Sequence, residues 1–187
     1  MYYCVKTILL FAIFSLSTGI GILISKMYEN RVKELRQFKN ILNIIKTKIK
    51  FTYEPLAEIF NQISQEKSSK IEEIFENMTY KLAFENIKYS WMDAIQEADI
   101  SITQEDKDIL KELGKKIFGS HMYNAVLKEL GKVLGQTDAD SQVNEIEVTE
   151  SFLNMQIEKA EEARKKNQKM YKTLGVVVGL VFVIILI

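Results

Sequence analysis

With one cysteine, one histidine, one proline and a single tryptophan among 187 residues, the chain lacks the raw material for several kinds of chemistry. A lone Cys4 permits neither an intrachain disulfide nor a cysteine-based metal cluster. His121 has no second histidine to complete a zinc pair or to support a nucleophile with spare ligands. Gly114, Gly131 and Gly135 do not fall in the Gly-x-x-x-x-Gly-Lys-Ser/Thr order of a phosphate-binding loop. No cofactor and no metal is expected. Acidic pairs such as Glu72-Glu73 and Glu161-Glu162 stand beside lysines at helical spacing, where ion pairing on a solvated face is the usual reading and an acid–base site the alternative.

Scarcity of turn residues shapes the fold class as well. Pro55 is the only proline and there are eight glycines, while Lys, Glu, Leu and Ile abound, a bias toward long helices over a turn-rich β fold. Charge of one sign is missing too: Lys plus Arg and Asp plus Glu each number 25. All of these except Lys6 lie between Lys26 and Lys172, leaving the middle with 24 positive and 25 negative side chains, net −1. A nucleic-acid partner, whose phosphates call for a basic excess, is not expected.

Charge is absent altogether from two stretches. Thr7 to Ser25 is a run of 19 uncharged, mostly apolar residues, long enough at about 1.5 Å per residue to cross a hydrocarbon core. A cleaved leader with Lys6 as its basic region is the competing reading, although no Ala-x-Ala-like site is visible. Thr173 to Ile187 is similar but only 15 residues long, short of the ~20 of a typical span. Tyr171 and a snorkelling Lys172 extend it, and a core helix or partial insertion is its alternative. Lys26, Arg31, Lys33 and Arg36 follow the first stretch; Arg164, Lys165, Lys166, Lys169 and Lys172 precede the second. This basic flank places the middle in the cytoplasm and both termini across the membrane. Small residues recur four apart, Ser15 with Gly19, Ser17 with Gly21 and Gly175 with Gly179, a spacing that lets membrane helices approach closely or is merely tolerated in lipid.

Between the ends the apolar period is that of helices. Leu35, Phe38, Leu42, Ile45 and Ile49 continue the first stretch as one face, with a stop at Thr52 and Glu54-Pro55. Further faces follow at Leu56, Ile59, Phe60 and Ile63; at Ile71, Ile74, Phe75, Met78 and Leu82 after a cap at Ser68 or Ser69; and around Trp91, Met92 and Ile95. Thr103 with Asp106 resembles a capping box with Asp in place of Glu, opening a helix through Ile109, Leu110, Leu113 and Ile117 that stops at Gly119. A last helix, capped near Thr137-Asp138, carries Val143, Ile146, Leu153, Ile157 and Ala160 into the second apolar stretch, with Glu150 at a core-type position that suits an edge. Leu110-Lys-Glu-Leu-Gly-Lys115 recurs as Leu127-Lys-Glu-Leu-Gly-Lys132, which reads as two short helices rather than a solenoid. The expectation is an all-α protein: an antiparallel helical bundle over 26–170 flanked by transmembrane helices at 1–25 and 171–187.

Several segments taken in order carry a resemblance. They are the first span with Leu35-Arg36, Tyr53-Glu54-Pro55-Leu56, the Trp91 helix with Ala94, and Asp108-Ile-Leu with Leu-Gly-Lys. Leu134-Gly-Gln-Thr-Asp138 with Gln142, and Lys165-Lys-Asn-Gln-Lys-Met170 ahead of Leu174-Gly175, complete the set. Together they resemble the stage III sporulation protein AB family of endospore formers, whose helical domain is similar to that of the type II secretion inner-membrane platform protein. The resemblance implies a non-enzymatic platform subunit of the channel-like complex joining mother cell and forespore, in the membrane on the mother-cell side. It also implies a secretion-type ATPase and the channel's other membrane subunits as partners; self-association is compatible with it. A platform subunit of a secretion or pilus system outside sporulation is the alternative. Partner contacts are expected at Gly131, Gly135, Thr137, Asp138 and Gln142, and packing of the membrane helices at Ser15, Gly19, Gly175 and Gly179. The family has one Leu-Gly-Lys element, so the second copy suggests an insertion between Lys115 and Lys132, with Gly131 favoured as the family position.

Overall fold

A computed structural model describes residues 2–52, 54, 56–66, 69–81, 87–119 and 135–186. These residues form six helices and no strand: α1 Tyr2–Phe51, α2 Leu56–Gln65, α3 Lys70–Lys81, α4 Ile87–Glu97, α5 Gln104–Gly119 and α6 Gly135–Leu186. The all-α expectation is met, and each apolar stretch is continuous with an amphipathic helix, as the unbroken period of α1 predicts. Packing divides the chain into two units, one of 1–33 with 158–187 and one of 34–157.

In the second unit α2 packs on α3, α3 on α4 and α4 on α5. The expected inward residues are buried: Leu35, Phe38, Leu42, Ile45 and Ile49 of α1, Ile59, Phe60 and Ile63 of α2, and Ile71, Ile74, Phe75 and Met78 of α3. Trp91 is 1% exposed at the centre, edge-on to Phe75 with ring centroids 5.7 Å apart, and Phe60 lies 5.6 Å from Phe75. Each such aromatic pair adds about 0.5–1.5 kcal/mol beyond its area burial.

Helix ends follow local hydrogen bonding. At the start of α5 the Thr103 N–H donates to the Asp106 carboxylate at 2.9 Å and the Asp106 N–H donates to Thr103 Oγ1 at 3.3 Å, the reciprocal box with the shorter acid. Asp106 is fully buried and also accepts from the Thr103 hydroxyl at 2.7 Å. Ahead of α3 the Ser69 N–H donates to Glu72 Oε2 at 2.7 Å. Glu72 is buried, so it serves the helix start while Glu73 stays exposed, unlike the solvated pair expected there. Helix α1 ends at Phe51, two residues past the buried Ile49, with Thr52 N–H on the Lys48 carbonyl at 2.9 Å. Helix α6 opens at Gly135, so Thr137 and Asp138 belong to its first turn rather than standing ahead of it. Pro55, Ser68, Leu82, His121 and the second Leu-Lys-Glu-Leu-Gly-Lys copy lie outside the described residues.

Candidate functional site

The first unit pairs the two apolar stretches through their smallest residues. A β-carbon on Gly21 would sit 2.7 Å from the Tyr171 carbonyl oxygen and 2.9 Å from Gly175 Cα, so the two backbones meet at a distance only glycine tolerates. Ser17 Oγ donates to the Gly175 carbonyl at 2.8 Å, a hydrogen bond from one apolar helix to the other. Gly179 faces Phe14 and Ser17. Of the expected small residues the structure therefore brings Gly175 and Gly179 into this contact, opposite Ser17 and Gly21. Ser15 is exposed, and a β-carbon on Gly19 would meet nothing within 4 Å. Positions 15/19 and 17/21 lie two residues apart, about 200° around the helix, so a single partner can use only one pair.

Apolar side chains on the outer faces of these helices are open: Ile8, Phe11 and Leu16 on α1, and Ile184 and Ile185 on α6 at 71% and 73% exposure. Both helices are long and apolar enough to cross a membrane, and only 6% and 11% of their apolar windows are buried. A core helix of a water-soluble protein would hide these residues. Where charge resumes, Tyr28 and Tyr171 stack with centroids 5.8 Å apart, and Gln168 Nε2 donates to Glu29 at 3.3 Å. Tyrosine pairs of this kind suit a membrane–water boundary. In the basic flank, Lys33 pairs with Glu29 at 3.1 Å, whereas Lys26, Lys165, Lys166 and Lys169 are exposed.

In the second unit the glycine of the first Leu-Gly-Lys copy has a definite task. Trp91 Nε1 donates to the Leu110 carbonyl at 2.7 Å, and its ring lies where a side chain at Gly114 would go, within 2.8 Å even of Cγ. That glycine lets α4 and α5 approach across an indole. Periodicity alone did not single out Gly114, although its place four residues after Leu110 in a Leu-Gly-Lys element is the signal that could have done so. Gly131, the copy favoured on sequence, lies outside the described residues.

Two acids are held by the fold rather than offered to a substrate. Glu34 is buried, accepts from the Ser101 N–H, and has its carboxyl pushed above the ordinary value by desolvation, partly opposed by that hydrogen bond. Nearby, Lys70 Nζ pairs with Asp99 Oδ2 at 3.0 Å. Glu150, at a core-type position expected to sit at an edge, is half-buried and binds Lys46 at 2.7 Å across α1 and α6. Among the described residues no three His, Cys, Asp or Glu side chains gather as a metal site.

Of the expected partner contacts, Gly135, Thr137 and Asp138 lie in the first turn of α6. Gln142 is 6% exposed, so its side chain belongs to the bundle's interior rather than to a surface corner.

Comparison with known proteins extends over nearly the whole chain. The family model for stage III sporulation protein AB matches residues 6–125 and 123–187, breaking between the two Leu-Lys-Glu-Leu-Gly-Lys copies. The chain is 25% identical over 172 residues to the stage III sporulation protein AB of Bacillus subtilis (strain 168), spanning 91% of this chain and 92% of that one. A solved structure of a stage III sporulation protein AB superimposes with a TM-score of 0.57 at 19% identity, covering 73% of this chain and 98% of that chain, a likeness of fold.

Proposed function

The chain belongs to the stage III sporulation protein AB family, and from that premise we propose that it is a non-enzymatic platform subunit of a sporulation channel, coupling a secretion-type ATPase to the membrane assembly. One observation carries the reading: the family match takes in both a helical bundle and two apolar helices whose outer faces are open. A protein that passes another subunit's motion to a membrane needs a folded domain and an anchor, and no reacting groups. A folded bundle and two long apolar helices support this reading, as do buried acids committed to helix starts and loop N–H groups.

In this reading the bundle is cytoplasmic on the mother-cell side, with both termini across the membrane, because basic residues crowd the bundle side of both apolar stretches. The ATPase or a neighbouring subunit docks near the start of α6, around Gly135, Thr137 and Asp138, with the buried Gln142 further along the same helix. Family membership favours the sporulation channel over a secretion or pilus platform of another system.

Cross-linking and co-purification from sporulating cells tests the proposal. The ATPase and channel membrane subunits should be recovered together with the full chain, and recovery of membrane subunits without the ATPase would refute the coupling role. A reporter fused after Ile187 should be active only outside the cytoplasm; cytoplasmic activity would overturn the topology. Asp138→Ala should weaken ATPase recovery while leaving the fold intact.

A further inference from the structure

The outer face of α6 in the terminal unit joins two kinds of surface. Its inner face holds the buried Ala160, Gly175 and Gly179. On the far side Lys165, Lys166 and Lys169 stand exposed, and Thr173, Leu174 and Val177 continue the strip one and two turns on, all lining one shallow open concavity. Cations form one end of the strip and apolar side chains the other, in the order a lipid has from headgroup to chain.

Several lysines elsewhere in the chain are ion-paired. Lys33, Lys46, Lys111, Lys115 and Lys116 each hold a carboxylate within 3.7 Å. Lys165, Lys166 and Lys169 hold none among the described residues, although Glu161 and Glu162 stand one turn earlier. Their charge is thus left for something outside the chain.

We propose that this strip binds an anionic phospholipid, its phosphate on Lys165, Lys166 and Lys169 and its acyl chain along Leu174 and Val177. Three clustered ammonium groups favour a headgroup with net negative charge over a zwitterionic one that brings its own cation. A soluble anion would leave the contiguous apolar half of the strip uncovered. The long lysine stems let the charges reach the headgroup plane while their methylenes lie on the helix. This inference rests on the reading of Thr173–Ile187 as a membrane anchor.

The test uses the full chain in nanodiscs of equal phosphatidylglycerol and phosphatidylcholine, with the lipids retained on release read by native mass spectrometry. Each lysine near an anionic surface contributes roughly fivefold, so wild type should retain phosphatidylglycerol at least about tenfold over phosphatidylcholine. K165Q/K166Q/K169Q should fall to near parity with unchanged helicity, and K111Q/K115Q/K116Q, on α5, should keep the wild-type ratio. Wild-type selectivity in the first triple variant, or parity in wild type, would overturn the proposal. Alkaline extraction of membranes from the cells expressing the full chain reads the anchor separately: retention with parity in the nanodiscs overturns the lipid site alone, and release of wild type overturns the anchor and the site together.

Discussion

The indole of Trp91 occupies the space that a side chain at position 114 would need, and its Nε1 donates to Leu110, one turn earlier on the same helix, at 2.7 Å. Gly114→Ala gains helix propensity of about 1 kcal/mol and yet must displace a buried ring, which costs about 1–3 kcal/mol for overpacking plus about 1 kcal/mol for the strained hydrogen bond. The expected outcome is a net loss of about 1–3 kcal/mol, read by denaturant unfolding in detergent. Unchanged or raised stability would show that the ring does not depend on that glycine.

The helix pair of the first unit discriminates between two glycines of one stretch. Gly21→Leu should separate the helices, because Tyr171 and Gly175 leave no room there, whereas Gly19→Leu points into open space. Hydrogen exchange of residues 17–28 should accelerate in the first variant and not in the second. Ser17→Ala should cost about 0.6 kcal/mol, the mean for hydrogen bonds between membrane helices.

At the start of α5 the two capping partners should prove coupled. Thr103→Ala removes one acceptor and one donor and should cost about 1 kcal/mol. Asp106→Ala strips the acceptor from both the Thr103 N–H and its hydroxyl, for about 1–3 kcal/mol. In a double-mutant cycle the interaction should reach at least about 0.5 kcal/mol; strictly additive losses would contradict the reciprocal box.

Glu34 sets a pH dependence of definite sign. Its carboxyl titrates above the ordinary value in the folded chain, so between the unfolded and folded values the native state binds more protons and stability falls as pH rises through that window. Glu34→Gln keeps an acceptor for the Ser101 N–H and removes the charge. It should flatten the slope just above pH 4.5 and leave the bundle as stable or more stable at neutral pH. A slope unchanged in the variant would assign the dependence to other groups.

Much of this fold could be read from spacing, because each helix hides one face and the period reports it. Leu35 to Ile49 and Ile71 to Met78 are buried where a 3.6-residue repeat puts them, and the Thr103–Asp106 box is visible as three letters of spacing. Contacts between helices were less legible. Spacing shows that Ser15/Gly19 and Ser17/Gly21 both form small faces; only the partner helix selects Ser17 and Gly21. Gln142 is polar and its expected role is a partner contact, while the fold buries it. Glu34 gives no local sign that its acceptor will meet the N–H of Ser101, 67 residues away. Such pairings depend on which helices adjoin, information that no single helical window contains.

Trp91 is the chain's only tryptophan, and it is sealed among Phe60, Phe75 and the backbone of α5. The protein therefore carries a built-in optical reporter confined to one of its two units. Excitation of the indole sees the bundle and nothing of the apolar helix pair, whose aromatic side chains are tyrosine and phenylalanine. Melting followed by its emission and melting followed by helical circular dichroism will coincide if the units unfold together, and will part company if the bundle comes undone while the apolar helices stay wound.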